Sequence, residues 1–180
     1  MALAPGYQAG DGARAGGGFD LETRNPDFPR TYIETIHINL SSPTDGVSLK
    51  WTGPDASLGP VGPWRMTPGR GAEGMDCDDA AISNTFGSLC TPKGVFAVKG
   101  FADHLEEVPT CYYATWVVHE PRYVAIHSHT DLPETPASAG CIRVPFEAAK
   151  LIHNNSVVGV TVVSISGTWS RAAKQLTKLQ

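Results

Sequence analysis

Apolar and polar residues alternate along several short stretches of the chain, a pattern typical of β-strands that bury one face. Residues 32–40 alternate over their second half, and residues 47–51 alternate again after the turn-forming cluster SSPTDG at 41–46. Two alternating runs that flank a cluster of turn residues predict a hairpin. Further runs rich in β-forming residues lie at 95–98, 111–118, 122–127 and 157–166.

Helical patterns are fewer and shorter than strand patterns. The stretch PFEAAKLI at 145–152 predicts a helix, with Pro145 at its first position and Asn154-Asn155 at its end. A helical turn is expected within 76–83 and a short terminal helix within 170–180. The sum is a mainly β fold with one or two short helices.

Composition fits one globular domain preceded by an unstructured segment. The chain has 180 residues, of which 41% are hydrophobic and 18% charged, which is enough for a sizeable core. Residues 1–30 are rich in Gly, Ala and Pro and include the run GDGARAGGG, so we expect a flexible N-terminal arm or linker there. The folded domain is expected to span 31–180.

Net charge and hydropathy exclude two classes of partner. Lys and Arg number 14 against 18 Asp and Glu, and a formal charge of −4 argues against a protein that binds nucleic acid by neutralising phosphates. No apolar run approaches the roughly 18–20 residues of a transmembrane helix. The first residues, MALAP, lack the charged and apolar segments of a secretory signal, which leaves a removed leader, a cytosolic protein or another export route open.

The four cysteines, Cys77, Cys90, Cys111 and Cys141, contain no C-x-x-C pair, so neither a zinc site nor a thioredoxin-like motif is expected. Cys77 and Cys90 bracket a short loop and are the expected disulfide. Cys111 is expected as a buried free thiol, with a place in the disulfide as the alternative. We expect no metal and no cofactor.

The stretch YVAIHSH at 123–129, followed by a polar loop and SAGCIR at 138–143, carries the candidate chemistry. His127 lies at a strand end, and a turn of small residues presents Cys141 just before the predicted helix. A catalytic thiol needs a base to take its proton, and His127 is the candidate. Gly140 allows close backbone approach, and the amides around Gly140 and Cys141 are candidate donors to an oxyanion.

This arrangement resembles the signature of the L,D-transpeptidase catalytic domain, the YkuD family. The segment TPKGVF at 91–96 is also similar to a family segment, so the resemblance covers roughly residues 31–166. It implies a YkuD-like β-sandwich or bent mixed sheet. It also implies a catalytic domain that acts on peptidoglycan stem peptides in the periplasm or cell wall, or after secretion.

The family's thiolate attacks the amide between diaminopimelate and the terminal D-Ala of a tetrapeptide stem. The acyl group then passes to a stem amine, to a free D-amino acid or to water. Carried over by position, Cys141 is the nucleophile, His127 the base and Ser128 the residue whose carbonyl orients the imidazole. Gly140 belongs to the oxyanion hole. The residues implied to bind substrate are Ser138, Ala139, Arg143 and His129.

Two departures from the family pattern leave more than one function open. Ala139 replaces the usual His before Gly-Cys, and ten residues, fewer than usual, separate His127 from Ser138. A short loop of this kind also resembles transpeptidase-like toxins delivered between bacteria, for which an immunity protein would be a partner. Three further hypotheses fit the sequence: an inactive peptidoglycan-binding module, a cysteine hydrolase acting on another amide, and a merely structural Cys141. The sequence leaves the oligomeric state open.

Overall fold

The computed structural model describes residues 29–106, 108–118 and 122–168. Within these residues the elements follow in the order β1 Tyr32–Asn39, β2 Val47–Thr52, α1 Ala80–Ser83, β3 Gly94–Ala97, β4 Gly100–His104, β5 Tyr112–Val118, β6 Val124–Ser128, β7 Ile142–Val144, α2 Phe146–Asn155 and β8 Val162–Ser166. Short 3-10 helices occupy Pro43–Asp45 and Ala56–Leu58. The predicted terminal helix at 170–180 and nearly all of the predicted N-terminal arm lie outside the described residues.

The strands form two four-stranded mixed sheets, which confirms the mainly β fold. The first has the order β2-β1-β8-β3 and the second the order β4-β5-β6-β7. In each sheet one pair is parallel, β1 with β8 and β6 with β7, and the other pairs are antiparallel. The predicted hairpin of β1 and β2 is confirmed, and its turn contains the first 3-10 helix.

The two sheets share a hydrophobic core, to which each contributes the side chains of one face. Alternate residues of a strand point to the same side, so these side chains come from every second position. The first sheet buries Ile36, Ile38 and Val163, and the second buries Phe101 and Ile126. Helix α2 packs against β5 and β6. Four of its five buried residues, Ala148, Ala149, Ile152 and His153, lie on one helical face, as expected for an amphipathic helix.

One strand was not predicted, and two local predictions were wrong. Strand β4 was not expected, because its sequence GFADH does not alternate between apolar and polar residues. Nearly every position of this strand is buried, so neither face needs to be polar. Strand β7 lies between Cys141 and α2, where the helix was expected to follow the cysteine directly, since three residues are too few for a pattern. Strand β8 begins at Val162, because a turn at 158–160 with Gly159 at φ +75° interrupts the β-branched run.

The helix predictions need smaller corrections. Pro145 is the N-cap of α2 and not its first residue, and α2 continues through Asn155. The helical turn expected at 76–83 is α1, whose start is capped where Ala81 N–H donates to Asp79 at 2.9 Å. Across the part of the chain that the structure describes, no helix is both long and apolar enough to cross a membrane.

The second sheet also has an outer face with its own small apolar cluster. Ala102, Ala114, Trp116 and Ala125 form the cluster, and Cys141 packs against it. The candidate nucleophile therefore lies on the side of this sheet that faces away from the main core.

Candidate active site

A tight turn at 138–141 presents Cys141. Gly140 has φ +123°, a conformation that residues with a Cβ adopt only under strain. The Ser138 hydroxyl accepts a hydrogen bond from Gly140 N–H at 3.1 Å and donates to the carbonyl of Cys141. Ser138 is buried, so its hydroxyl holds the turn from inside, which differs from the substrate contact implied by the resemblance.

Two neighbouring segments fix this turn in place. The hydroxyl of Thr91, which is buried, donates to the carbonyl of Gly140 at 2.9 Å and accepts from Gly69 N–H at 2.8 Å. The loop before the turn folds back, so that Ala137 N–H donates to the carbonyl of Pro68 at 3.0 Å. The backbone that leads into Cys141 is thus held from both sides by residues distant in sequence.

The register of β6 and β7 brings the candidate catalytic dyad, Cys141 and His127, to one face of the sheet. His127 pairs with Arg143, and in these parallel strands paired residues point to the same side. Cys141 precedes Arg143 by two residues and lies beside Ala125, whose N–H donates to Cys141 Sγ at 3.4 Å. With strands about 4.8 Å apart and two residues spanning about 6.6 Å, the Cα atoms of Cys141 and His127 are separated by about 8 Å on a diagonal.

The imidazole of His127 is held in one tautomer. Its Nδ1–H donates to the carbonyl of Ser128 at 2.9 Å, which leaves the lone pair on Nε2. Burial lowers the pKa of His127 to about 4, the hydrogen bond to Ser128 opposes that shift, and the charges of His129 and Arg143 add to it. At neutral pH the ring is therefore uncharged and able to accept a proton.

Polar side chains surround His127 at the end of the two strands. The rings of His127 and His129 are 6.4 Å apart, and His129 Nδ1 accepts from Asp131 N–H at 2.9 Å. Burial and the charge of Arg143 lower the pKa of His129. Arg143 Nη1 lies 3.8 Å from the exposed carboxylate of Asp131, and its backbone pairs with Thr67 in both directions.

A cavity of about 310 Å³ opens beside Cys141. The large apolar side chains that line it are those of Phe86, Leu89, Leu105, Trp116, Tyr123 and Val124. Ala139, which is exposed, and Arg122 also line this cavity, whereas His127 does not. A substrate in the cavity would therefore reach the sulfur of Cys141 from the side away from His127.

Arg122 was not predicted from the sequence. This residue lies two positions before β6 and is buried, and its guanidinium donates to the carbonyls of Ser83 and Cys90. Cys90 forms a disulfide with Cys77, and Cys111 is a buried free thiol. The segment that carries Cys90 thus links the disulfide to the cavity.

The structure gathers Cys141, His127, Ser128, Arg143 and His129 along the paired strands β6 and β7 and the residues that adjoin them. Gly140 and Ser138 form the turn itself. Within residues 29–106, 108–118 and 122–168, no group of three or more His, Cys, Asp or Glu side chains is arranged to hold a metal ion.

Comparison with known proteins identifies a family. The family model for YkuD, the L,D-transpeptidase catalytic domain, matches residues 35–165. A crystal structure of the L,D-transpeptidase (residues 123–326) from Xylanimonas cellulosilytica is similar, with a TM-score of 0.44 and 22% sequence identity. The similarity covers 73% of this chain and 59% of that chain, so this chain spans about three fifths of the crystallised protein. No curated protein matches.

Proposed function

Because the chain belongs to the L,D-transpeptidase catalytic domain (YkuD) family, we propose that it is a cysteine acyl-transfer enzyme acting on peptidoglycan stem peptides. Cys141 is the nucleophile and His127 the base. The observation that carries the proposal is that His127 and Cys141 share one face of the sheet beside a cavity. The His127 imidazole is oriented by the carbonyl of Ser128 and is uncharged at neutral pH.

The proposed reaction has two halves. His127 Nε2 takes the proton of the Cys141 thiol, and the sulfur attacks the carbonyl carbon of the amide between diaminopimelate and D-Ala. The C–N bond breaks, the imidazolium returns the proton to the leaving amine, and a thioester on Cys141 remains. A stem amine, a D-amino acid or water then attacks the thioester. His127 takes the acceptor's proton and returns it to the sulfur.

The remaining site residues have supporting roles in this proposal. The amide of Gly140 is a candidate oxyanion donor, although its N–H must first leave the Ser138 hydroxyl, to which it is bonded. Arg143 and His129 lie on the side of the dyad away from the cavity, where their polar groups suit an acceptor with a charged end. Ala139 offers the cavity a methyl group where the family has an imidazole.

The site of action follows from the substrate. Peptidoglycan lies outside the cytoplasmic membrane, so the periplasm, the cell wall or the exterior is the proposed location. The disulfide between Cys77 and Cys90 supports this location, because such bonds persist in oxidising compartments.

The test is turnover of disaccharide tetrapeptides followed by mass spectrometry. The wild-type protein is expected to release D-Ala and to give tripeptide, exchanged tetrapeptide or dimer. The Cys141→Ala variant is expected to give no product and to keep the fold. If product formation is unchanged in that variant, Cys141 is not the nucleophile and the proposal is wrong. Rising D-amino acid diverts product from tripeptide to exchanged tetrapeptide if transfer dominates over hydrolysis.

A second candidate function is a peptidoglycan-binding module without turnover. The exposed Ala139 favours it, because no imidazole is present at that position beside the nucleophile. This candidate predicts that the protein binds sacculi, forms no product and leaves Cys141 unlabelled by a carbapenem or iodoacetamide. Labelling of Cys141 together with D-Ala release rules it out.

A further inference from the structure

Arg122 is a buried cation whose described partners are neutral. The residue is 8% exposed. Nη1 donates to the carbonyl of Ser83 at 2.6 Å, and Nη2 donates to the carbonyl of Cys90. Among the described residues no carboxylate forms an ion pair with it. A buried guanidinium with carbonyl partners alone keeps its full charge uncompensated.

The guanidinium lies directly behind the turn that carries the nucleophile. A Cβ on Gly140 would stand 3.0 Å from Arg122 Nη2, so the glycine leaves room for this approach. The Cys141 thiol donates to the carbonyl of Tyr123, the residue after Arg122, at 3.9 Å, and Arg122 and Cys141 line the same cavity. The uncompensated charge and the sulfur therefore face the same cavity.

The other basic side chains near the sulfur of Cys141 do not place a positive charge in the cavity beside it. His127 is neutral at pH 7, and His129 has a lowered pKa. Arg143 lies on the strand face beside His127 and has Asp131 nearby. Among the described residues that line the cavity, Arg122 has the one cationic side chain.

We propose that Arg122 is a positioning residue that stabilises the ionised sulfur of Cys141 and so makes the thiolate available at neutral pH. The inference rests on the proposed function, in which Cys141 is the nucleophile. A nearby guanidinium favours the thiolate by electrostatic attraction, and the attraction is stronger because the guanidinium itself is buried. Consistent with this, burial lowers the pKa of Arg122, and the charge of Cys141 opposes that shift.

The test is the pH dependence of Cys141 alkylation by iodoacetamide, an uncharged reagent, read by peptide mapping. The buried thiol of Cys111 serves as the reference in the same digest, since burial raises its pKa. The variants are Arg122→Gln, which removes the charge but keeps donors for the carbonyls, and Arg122→Lys, which keeps the charge. Arg65→Gln is the control, because Arg65 lies beside Glu134 on the surface.

In the wild-type protein, the pH midpoint of Cys141 alkylation is expected below about 8.5, the pKa of a free cysteine thiol. Arg122→Gln should raise it by about one pH unit, roughly a tenfold loss of thiolate at neutral pH, whereas Arg122→Lys and Arg65→Gln should leave it within about half a unit. Equal shifts in the Gln and Lys variants would overturn the inference, because charge would then not be the cause.

Two further outcomes keep the test decisive if Arg122→Gln does not fold. A wild-type midpoint at or above about 8.5 contradicts the inference directly. A His127→Gln variant should keep the low midpoint, because a neutral ring adds no charge; loss of the low midpoint in that variant assigns the effect to His127 and overturns the role of Arg122. If wild-type Cys141 is never alkylated and muropeptides stay intact, the proposed function itself fails, which distinguishes the two results.

Discussion

At the scale of single residues, the chemistry depends on which form of His127 is present. The hydrogen bond from Nδ1–H to the carbonyl of Ser128 fixes both the tautomer and the direction of the ring. Because burial keeps the imidazole neutral, the ring accepts a proton from a thiol without first having to lose one. The same burial makes it a weak base, so an independent source of thiolate stabilisation has a clear use in this site.

Replacement of His127 by Gln tests its role as the base. The variant is expected to acylate Cys141 with a stem tetrapeptide 10²- to 10⁴-fold more slowly, roughly the usual range for loss of a general base. The acylation rate is measured by mass spectrometry of the intact protein. The matched control is His37→Gln, since His37 is exposed on β1 in the other sheet. An acylation rate in His127→Gln equal to that of the control would show that the imidazole takes no part.

Some of these residues could be predicted from the sequence and others could not. His127 and Cys141 stand out because a strand end and a small-residue turn give each a local context. Arg122 does not, because its partners Ser83 and Cys90 lie 39 and 32 residues away, and nothing near Arg122 in sequence indicates them. The hydrogen bonds of the Ser138 hydroxyl within its own turn could not be predicted either. The sequence does not distinguish a hydroxyl that stabilises a turn from one that binds a substrate.

At the scale of elements, the segment from α1 to β3 supports the site without belonging to either sheet. It supplies Thr91, which bonds the carbonyl of Gly140, and Cys90, whose carbonyl accepts from Arg122. Leu89 has φ +56°, an uncommon conformation for a residue with a branched side chain. The disulfide to Cys77 and the hydrogen bonds of Thr91 hold the segment in this path against the turn.

Removal of the disulfide is expected to destabilise the protein without changing its fold. Cys77 and Cys90 are separated by 13 positions, and closing a loop of this length in the unfolded chain contributes about 3 kcal/mol. The Cys77→Ser/Cys90→Ser double variant should therefore lose about that much free energy of unfolding in urea titrations. Reductant should lower the wild-type midpoint and leave that of the double variant unchanged. A wild-type midpoint that does not respond to reductant would contradict a stabilising bond.

Element prediction from the sequence succeeded where one face of a strand is polar and failed where it is not. The alternation of β1 and β2 reports strands with one exposed side, and the hairpin was predictable for that reason. Strand β4 is buried on both faces, and Gly100, Ala102 and Asp103 give it no β-forming pattern. Its position follows from pairing with β5, a contact between segments that local sequence does not encode.

At the scale of the whole molecule, packing two sheets and a helix together buries histidines that a looser fold would leave in water. His153 on α2 is fully buried against the rings of Phe101 and Tyr113, at 5.1 and 5.3 Å between centroids. Burial lowers its pKa to about 4, opposed by a hydrogen bond with Asn154. His127 is buried at the end of a strand in the second sheet and has the same lowered pKa. Both rings are therefore uncharged in the folded protein at neutral pH and charged in the unfolded chain below about pH 6.5.

This difference predicts that acid weakens the fold as the pH falls below about 6.5. Between the unfolded pKa near 6.5 and the folded pKa near 4, the unfolded chain binds more protons, so the free energy of unfolding rises with pH and is lost as pH falls through that window. Each histidine should cost about 2–3 kcal/mol between pH 7 and pH 4.5. Asp103, whose pKa burial raises, acts in the opposite direction and offsets part of the loss.

Comparing variants isolates the histidine contribution from that of Asp103, which is common to all of them. In urea titrations from about pH 7 to 4.5, His153→Gln should show a shallower fall in unfolding free energy than the wild type, by about 2–3 kcal/mol over the range, because Gln does not titrate. The absolute stability of His153→Gln is not the readout, since repacking around Phe101 changes it at every pH. Parallel curves for the wild type and His153→Gln would mean that His153 titrates alike in both states, and that the shared core does not exclude its charge.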